Sequence, residues 1–172
     1  IPKVYFELGY AFEKSGSIDS AIKCYTRCLD LKPDYANASK QLGHIEFNQG
    51  DYENALAHFT RYESDYTSEI RDYMYWYRKG YMQNAHKEYS NAKTSLQKSL
   101  TYKADYFNTF LELGFAATKL NQDEEAIGYF KKAMEIDPKN HVPINGIAEV
   151  YRDNKKDRPE AMAWYKKTLT LN

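Results

Sequence analysis

The sequence is poor in the residues from which most chemical sites are built. Of 172 residues only two are cysteine, five proline and eight glycine. Cys24 and Cys28 lie one helical turn apart, where side chains on a rigid helix sit poorly for a disulfide. Cys28 is expected to pack and Cys24 to be a bystander, with neither secretion nor redox chemistry implied. The four histidines (His44, His58, His86 and His141) show no metal-ligand spacing, and there is no HExxH, no CxxC pair and no Gly-rich phosphate loop. No catalytic or metal-binding residue is assigned, no cofactor is expected, and the chain is read as a non-enzyme. Basic and acidic residues balance at 24 each, whereas a nucleic-acid module needs a basic face, so no nucleic-acid partner is expected. No apolar run approaches the roughly 18 residues of a membrane span. The chain opens at Ile1 with no initiator Met, basic n-region or apolar signal core, and is expected to be a segment of a longer protein.

What the sequence does have is a period. Leu8-Gly9, Ala21, Tyr25 and Pro33 recur as Leu42-Gly43, Ala55 and Phe59, and again as Leu113-Gly114, Ala126, Phe130 and Pro138. A repeat near 34 residues marks stacked helical hairpins. The alanines Ala21, Ala55, Ala92, Ala126 and Ala161 set five units, at 2–35, 36–72, 73–106, 107–140 and 141–172. Within a unit the apolar residues fall on one helical face. Tyr5, Leu8, Ala11 and Phe12 form one stripe, and Ala21, Tyr25, Cys28 and Leu29 its partner. Each unit therefore splits into an A and a B helix, broken near Gly16, Gly50, His86, Asn121 and Asn154-Lys155. Ser17, Asp51 and Asp123 are expected to cap the B helices that follow. Pro33 and Pro138 fall just beyond the B helices, where proline ends a helix at little cost.

This pattern resembles the tetratricopeptide repeat family over essentially the whole chain. The family places a large residue at slot 4, Leu-Gly at 7–8, an aromatic at 11, Gly at 15, Ala at 20, an aromatic at 24, Ala at 27 and Pro at 32. The first unit supplies Tyr5, Leu8, Gly9, Phe12, Gly16, Ala21, Tyr25, Cys28 and Pro33; the fourth supplies Phe110, Leu113, Gly114, Ala117, Ala126, Phe130, Ala133 and Pro138. The third departs most, with Lys79 at slot 7, Gln83 at slot 11 and three extra residues around Thr67–Asp72 that lengthen its first helix or the preceding turn. The fifth has Ala148 in the glycine slot and one extra residue in its turn. The resemblance implies an all-α, right-handed superhelical solenoid of antiparallel hairpins and a protein-interaction scaffold.

In this family the A helices line the concave face. The candidate peptide-binding residues read there are Phe6, Tyr10, Lys40, His44, Phe47, Tyr77, Tyr81, Asn84, Asn108, Leu111, Phe115 and Asn145. Phe6, Tyr10, Tyr77, Tyr81, Leu111 and Phe115 form an apolar stripe at slots 5 and 9. Such a stripe either marks a binding groove or fills space between tightly wound A helices. Lys40, Asn84, Asn108 and Asn145 are expected to hold polar groups of the ligand. One subset of the family clamps C-terminal carboxylates of chaperone peptides, but Glu112 stands where such a clamp needs a cation, and the charge is of the wrong sign. The expected partner is another protein or peptide. The rival expectation is a structural spacer in a longer array, its groove filled by flanking chain or by self-association through exposed terminal repeats.

Overall fold

The computed structural model describes residues 1–170. Among them are ten α-helices and no strand: α1 (Pro2–Lys14), α2 (Ile18–Leu31), α3 (Ala36–Gln49), α4 (Tyr52–Asp65), α5 (Tyr73–Ala85), α6 (Tyr89–Tyr102), α7 (Phe107–Lys119), α8 (Asp123–Ile136), α9 (His141–Glu149) and α10 (Arg158–Leu169). They pair in order as five hairpins, each odd-numbered helix being an A helix and each even-numbered one its B partner. The expected end of the fifth repeat at residue 172 lies outside the described residues.

The hairpins exist because of how closely A meets B. At slot 8, a methyl added to Gly9, Gly43, Gly80 or Gly114 would stand 2.5–2.8 Å from the side chain at slot 24: Tyr25, Phe59, Leu96 or Phe130. No real Cβ approaches that near, so glycine is required and the B-helix side chain lies flat on the A-helix backbone. Opposite it, the slot-20 alanines are almost wholly buried, leaving no room for a longer side chain. Phe130 is held twice, since a Cβ on Gly146 of α9 would also stand 2.6 Å from its ring.

The turns need a left-handed residue. Gly16 (φ 79°) and Gly50 (φ 81°) supply it in the first two hairpins, at no Cβ penalty. Asn121 does so in the fourth, and Lys87 and Lys156 take positive φ in the third and fifth.

Several expectations need correction. Asp51 accepts from the Asn54 N–H as a cap should, but Ser17 caps by position only, with no side-chain bond to α2. Asp123 is the first residue of α8 rather than its cap; its carboxylate accepts from Asn154 Nδ2 at 2.7 Å. The three extra residues lengthen the turn after α4, not the helix, and Asp72 closes it by accepting from the Met74 and Tyr75 N–H groups. The extra residue of the fifth repeat is absorbed in a π-helical turn, Val150–Asn154, the usual way a helix takes an insertion. Gln83 is accommodated by a buried bond from Ser95 Oγ (2.7 Å), and Lys79 lays its ammonium over the Trp76 ring. Both cysteines are free thiols, Cys28 buried and Cys24 half-buried.

The chain divides into two compact units, Ile1–Arg71 and Asp72–Asn172, parting in that lengthened turn. The first contains α1–α4 around a core of Ala21, Tyr25, Cys28, Leu29, Ala38, Leu42 and Ile45. In the second, α5–α10 pack as three hairpins, with α5 against α7 and α7 against α9. Ser99 ties them by donating to the Tyr73 carbonyl (2.8 Å) and meeting Thr109 Oγ1 at 3.3 Å.

The contact at slot 8 is directly testable. Gly114→Ala is expected to lower stability by about 1–3 kcal/mol through overpacking against Phe130. Gly128→Ala, mid-helix in α8 with nothing within 4 Å, should raise it by about 0.5–1 kcal/mol. Chemical denaturation of both variants checks the pair; equal effects would refute the packing argument.

Candidate functional site

In the first unit the A-helix candidates lean on their own B helices. Phe6 is half-buried, with ring centroids 5.7 Å from Tyr25 and 5.3 Å from Tyr35. His44 meets Phe59 edge-on at 5.0 Å, and Phe47 packs on Tyr52 at 5.4 Å. The Lys40 ammonium lies 5.7 Å from the Tyr62 ring. Tyr10 differs: it is 42% exposed, with Lys14 Nζ 5.1 Å above its ring.

The second unit has a concave feature. Tyr81, Asn84, Leu111, Phe115 and Asn145 converge on one cleft of about 700 Å³ between the A helices α5, α7 and α9. Their spacing explains this: slots 5, 9 and 12 put them on the side of each A helix away from its B partner. Tyr77 and Asn108 do not line the cleft. Tyr77 is half-buried on the Ala92–Leu96–Leu113 core, edge-on to Tyr106 at 5.1 Å, and Asn108 Nδ2 donates to Tyr106 Oη at 3.3 Å.

Among the residues that line the cleft but were not assigned from sequence are Glu112, Tyr89, Phe130 and Gly146. Tyr89 and Phe130 sit on B helices, where aromatics are accounted for by packing. Tyr89 also meets Phe115 edge-on at 6.0 Å. Glu112 at slot 6 was visible as the mismatch to a carboxylate clamp, and that mismatch was the available signal.

The polar side of the cleft is built on Asn84, 4% exposed at the end of α5. Its Nδ2 donates to the Glu112 carbonyl (3.0 Å) and to Glu112 Oε2 (2.8 Å), which fixes the amide orientation; the buried Oδ1 has no partner. Burial pushes the Glu112 carboxyl up from its ordinary value, and the Asn84 bond only partly opposes this. Burial first, and the Glu112 charge second, also raise the Tyr77 phenol. Asn145 accepts from Thr168 Oγ1 at 2.8 Å. Lys87 and Glu149 complete the charged lining and are exposed. The carboxylates Glu124 and Glu125 are in ion pairs with Lys155 and Lys93. Among the described residues no cluster of His, Cys, Asp and Glu has metal-binding geometry, and no helix is long and apolar enough to cross a membrane.

Over 98% of this chain the fold matches two crystal structures. One is the MamA protein (TM-score 0.81, 22% identity, 90% of that chain); the other is YrrB, described as a TPR protein with an unusual peptide-binding site (0.86, 17%, 84% of that chain). The fold class is an all-α solenoid of antiparallel helix hairpins. Residues 2–35 and 107–140 match tetratricopeptide repeat family models, and the second and third hairpins make the same glycine contact between A and B helices. These matches and the recurring hairpin support a tetratricopeptide repeat protein. Anaphase-promoting complex subunit 3 of Schizosaccharomyces pombe is 30% identical over 93 residues, or 54% of this chain. The chain spans only 14% of that protein's length.

Glu112 gives a pH signature. Its folded pKa lies above the unfolded value of about 4.3, so the native state holds the extra proton and stability falls as pH rises from there through the folded pKa. Glu112→Gln removes this loss while keeping an acceptor for Asn84. Thermal melts should show the variant gaining on the parent as pH rises from 4 towards neutrality; a constant difference would exclude the buried-charge account.

Proposed function

We propose that this chain is a protein-interaction scaffold which holds an extended peptide or partner helix along its A-helix face, residues 1–172 serving as one solenoid segment. The observation that carries the reading is the cleft between α5, α7 and α9. There, apolar and aromatic side chains stand with the Asn84 and Asn145 amides and a half-buried carboxylate, as recognition sites combine desolvation with a few orienting polar groups. The tetratricopeptide repeat matches, and likeness to a structure described as having a peptide-binding site and to a subunit of a multiprotein complex, support it. Tyr81, Leu111 and Phe115 contribute contact area, with Asn84 and Asn145 orienting the ligand. In the first unit Tyr10, the exposed aromatic, takes the same role, with Phe6, Lys40, His44 and Phe47 as further contacts on the A helices α1 and α3. Tyr77 and Asn108 act beside the cleft, as support for α7.

The test separates groove from filler. Phe115→Ala, truncating a 41% exposed ring, is expected to leave the melting temperature nearly unchanged and weaken capture of degenerate peptide pools about tenfold. Tyr77→Ala should cost about 2–4 kcal/mol of stability with capture intact below its melting point. Unchanged capture by a Tyr81→Ala, Phe115→Ala double variant would refute the reading.

The second reading, self-association of terminal hairpins, is favoured by apolar exposure on the end helices: Val4 (67%) and Leu8 (44%) on α1, Met162 (58%) and Leu169 (84%) on α10. On that reading the chain sediments as a dimer at high concentration, and Leu8→Glu or Met162→Glu returns it to monomer. A monomer at every concentration removes it.

A further inference from the structure

We propose that the cleft of the second unit takes a basic side chain of an extended peptide, a Lys ammonium or an Arg guanidinium, seated between its aromatic walls and the Asn84–Glu112 pair. This rests on the peptide-binding reading above and specifies its ligand chemistry.

The polar groups of the cleft ask for donors. Both Asn84 bonds run to Glu112 through Nδ2, which holds the Glu112 carboxylate in place at the cleft wall. Glu112 Oε2 is taken by Asn84, and Oε1 receives no hydrogen bond from the described residues. Glu112 also has no ion pair with a described cation; burial raises its carboxyl, as expected for a charge without a counter-charge. Lys87 lines the same cleft but makes no ion pair with it, and Glu149 adds a second carboxylate.

The walls suit a cation as well. Phe115 and Tyr89 stand edge-on, and Lys119 Nζ already rests 5.3 Å from the Phe115 centroid, so this ring is used by an ammonium within the protein itself. A guanidinium or ammonium brings N–H donors to Glu112 Oε1, offsets the two carboxylates and lays its stem on Leu111 and Phe115. An acidic side chain or a C-terminal carboxylate would bring acceptors to acceptors and like charge to like, which opposes binding.

Fluorescein-labelled degenerate peptide pools, alike except for a fixed central Arg, Lys, Ala or Glu, test the assignment by anisotropy on the full chain. The Arg and Lys pools should bind about tenfold tighter than the Ala pool, with the Glu pool weakest. Glu112→Gln should erase that preference, bringing the Arg and Lys pools to the level of the Ala pool on the same variant; a melt confirms the fold. Equal binding of all pools, preference for Glu, or a Glu112→Gln variant that still prefers Arg overturns the inference but leaves the peptide site standing. Binding by no pool removes the peptide reading and this inference with it.

Discussion

The flat seating of a B-helix side chain on the bare backbone of its A helix governs everything else in the molecule. Four hairpins make that contact with the same pair of slots, Gly9–Tyr25, Gly43–Phe59, Gly80–Leu96 and Gly114–Phe130. Close approach maximises dispersion contacts along both helices, and it fixes which way every other side chain points. With slots 8, 20 and 24 committed to the hairpin, slots 5, 9 and 12 are turned to the opposite side of the A helix. The cleft is thus a by-product of packing: its position follows from glycine, its contents from whatever residues occupy the released slots.

Between hairpins, shared apolar cores are supplemented by varied polar ties. Lys93 of α6 reaches Gln122 and Glu125 of the next hairpin, Lys155 reaches Glu124, and Asn154 donates to the Thr118 carbonyl at 3.0 Å. Exposed pairs of this kind contribute little individually. Asn154 is different, being half-buried and satisfying both a carbonyl and the Asp123 carboxylate. The π-helical turn gives the fifth repeat its extra residue and ends on this asparagine.

Helix boundaries, hairpin order and core alanines were legible in the sequence because each repeat states them again, so that a weak local signal gains force by recurrence. The turns were legible at Gly16, Gly50 and Asn121, whose residue types tolerate positive φ. They were displaced by one or two residues at Lys87 and Lys156, which no propensity argument would place there. The capping role of Asp123 failed because α8 begins at Asp123 itself, with Gln122 in the cap position; the carboxylate accepts instead from Asn154. For the cleft, slot arithmetic brought Tyr81, Asn84, Leu111, Phe115 and Asn145 together. It did not anticipate that Tyr77, equivalent to Leu111 by slot, turns onto Tyr106. Nor did it find the B-helix contributors Tyr89 and Phe130, since a residue with a packing role already assigned gives no further signal.

Phe130 is pressed between the backbones of α7 and α9, and it also forms part of the cleft wall. One ring is therefore shared by two hairpins and by whatever occupies the space beside it. A molecule that touched that ring and bound the docked arrangement of α9 better than an undocked one would be thermodynamically linked to the joint between the fourth and fifth repeats. Loosening the joint would then cost such an occupant affinity, and the occupant would stiffen the joint by the same amount. The shared ring makes the joint a clasp built around the wall of the cleft.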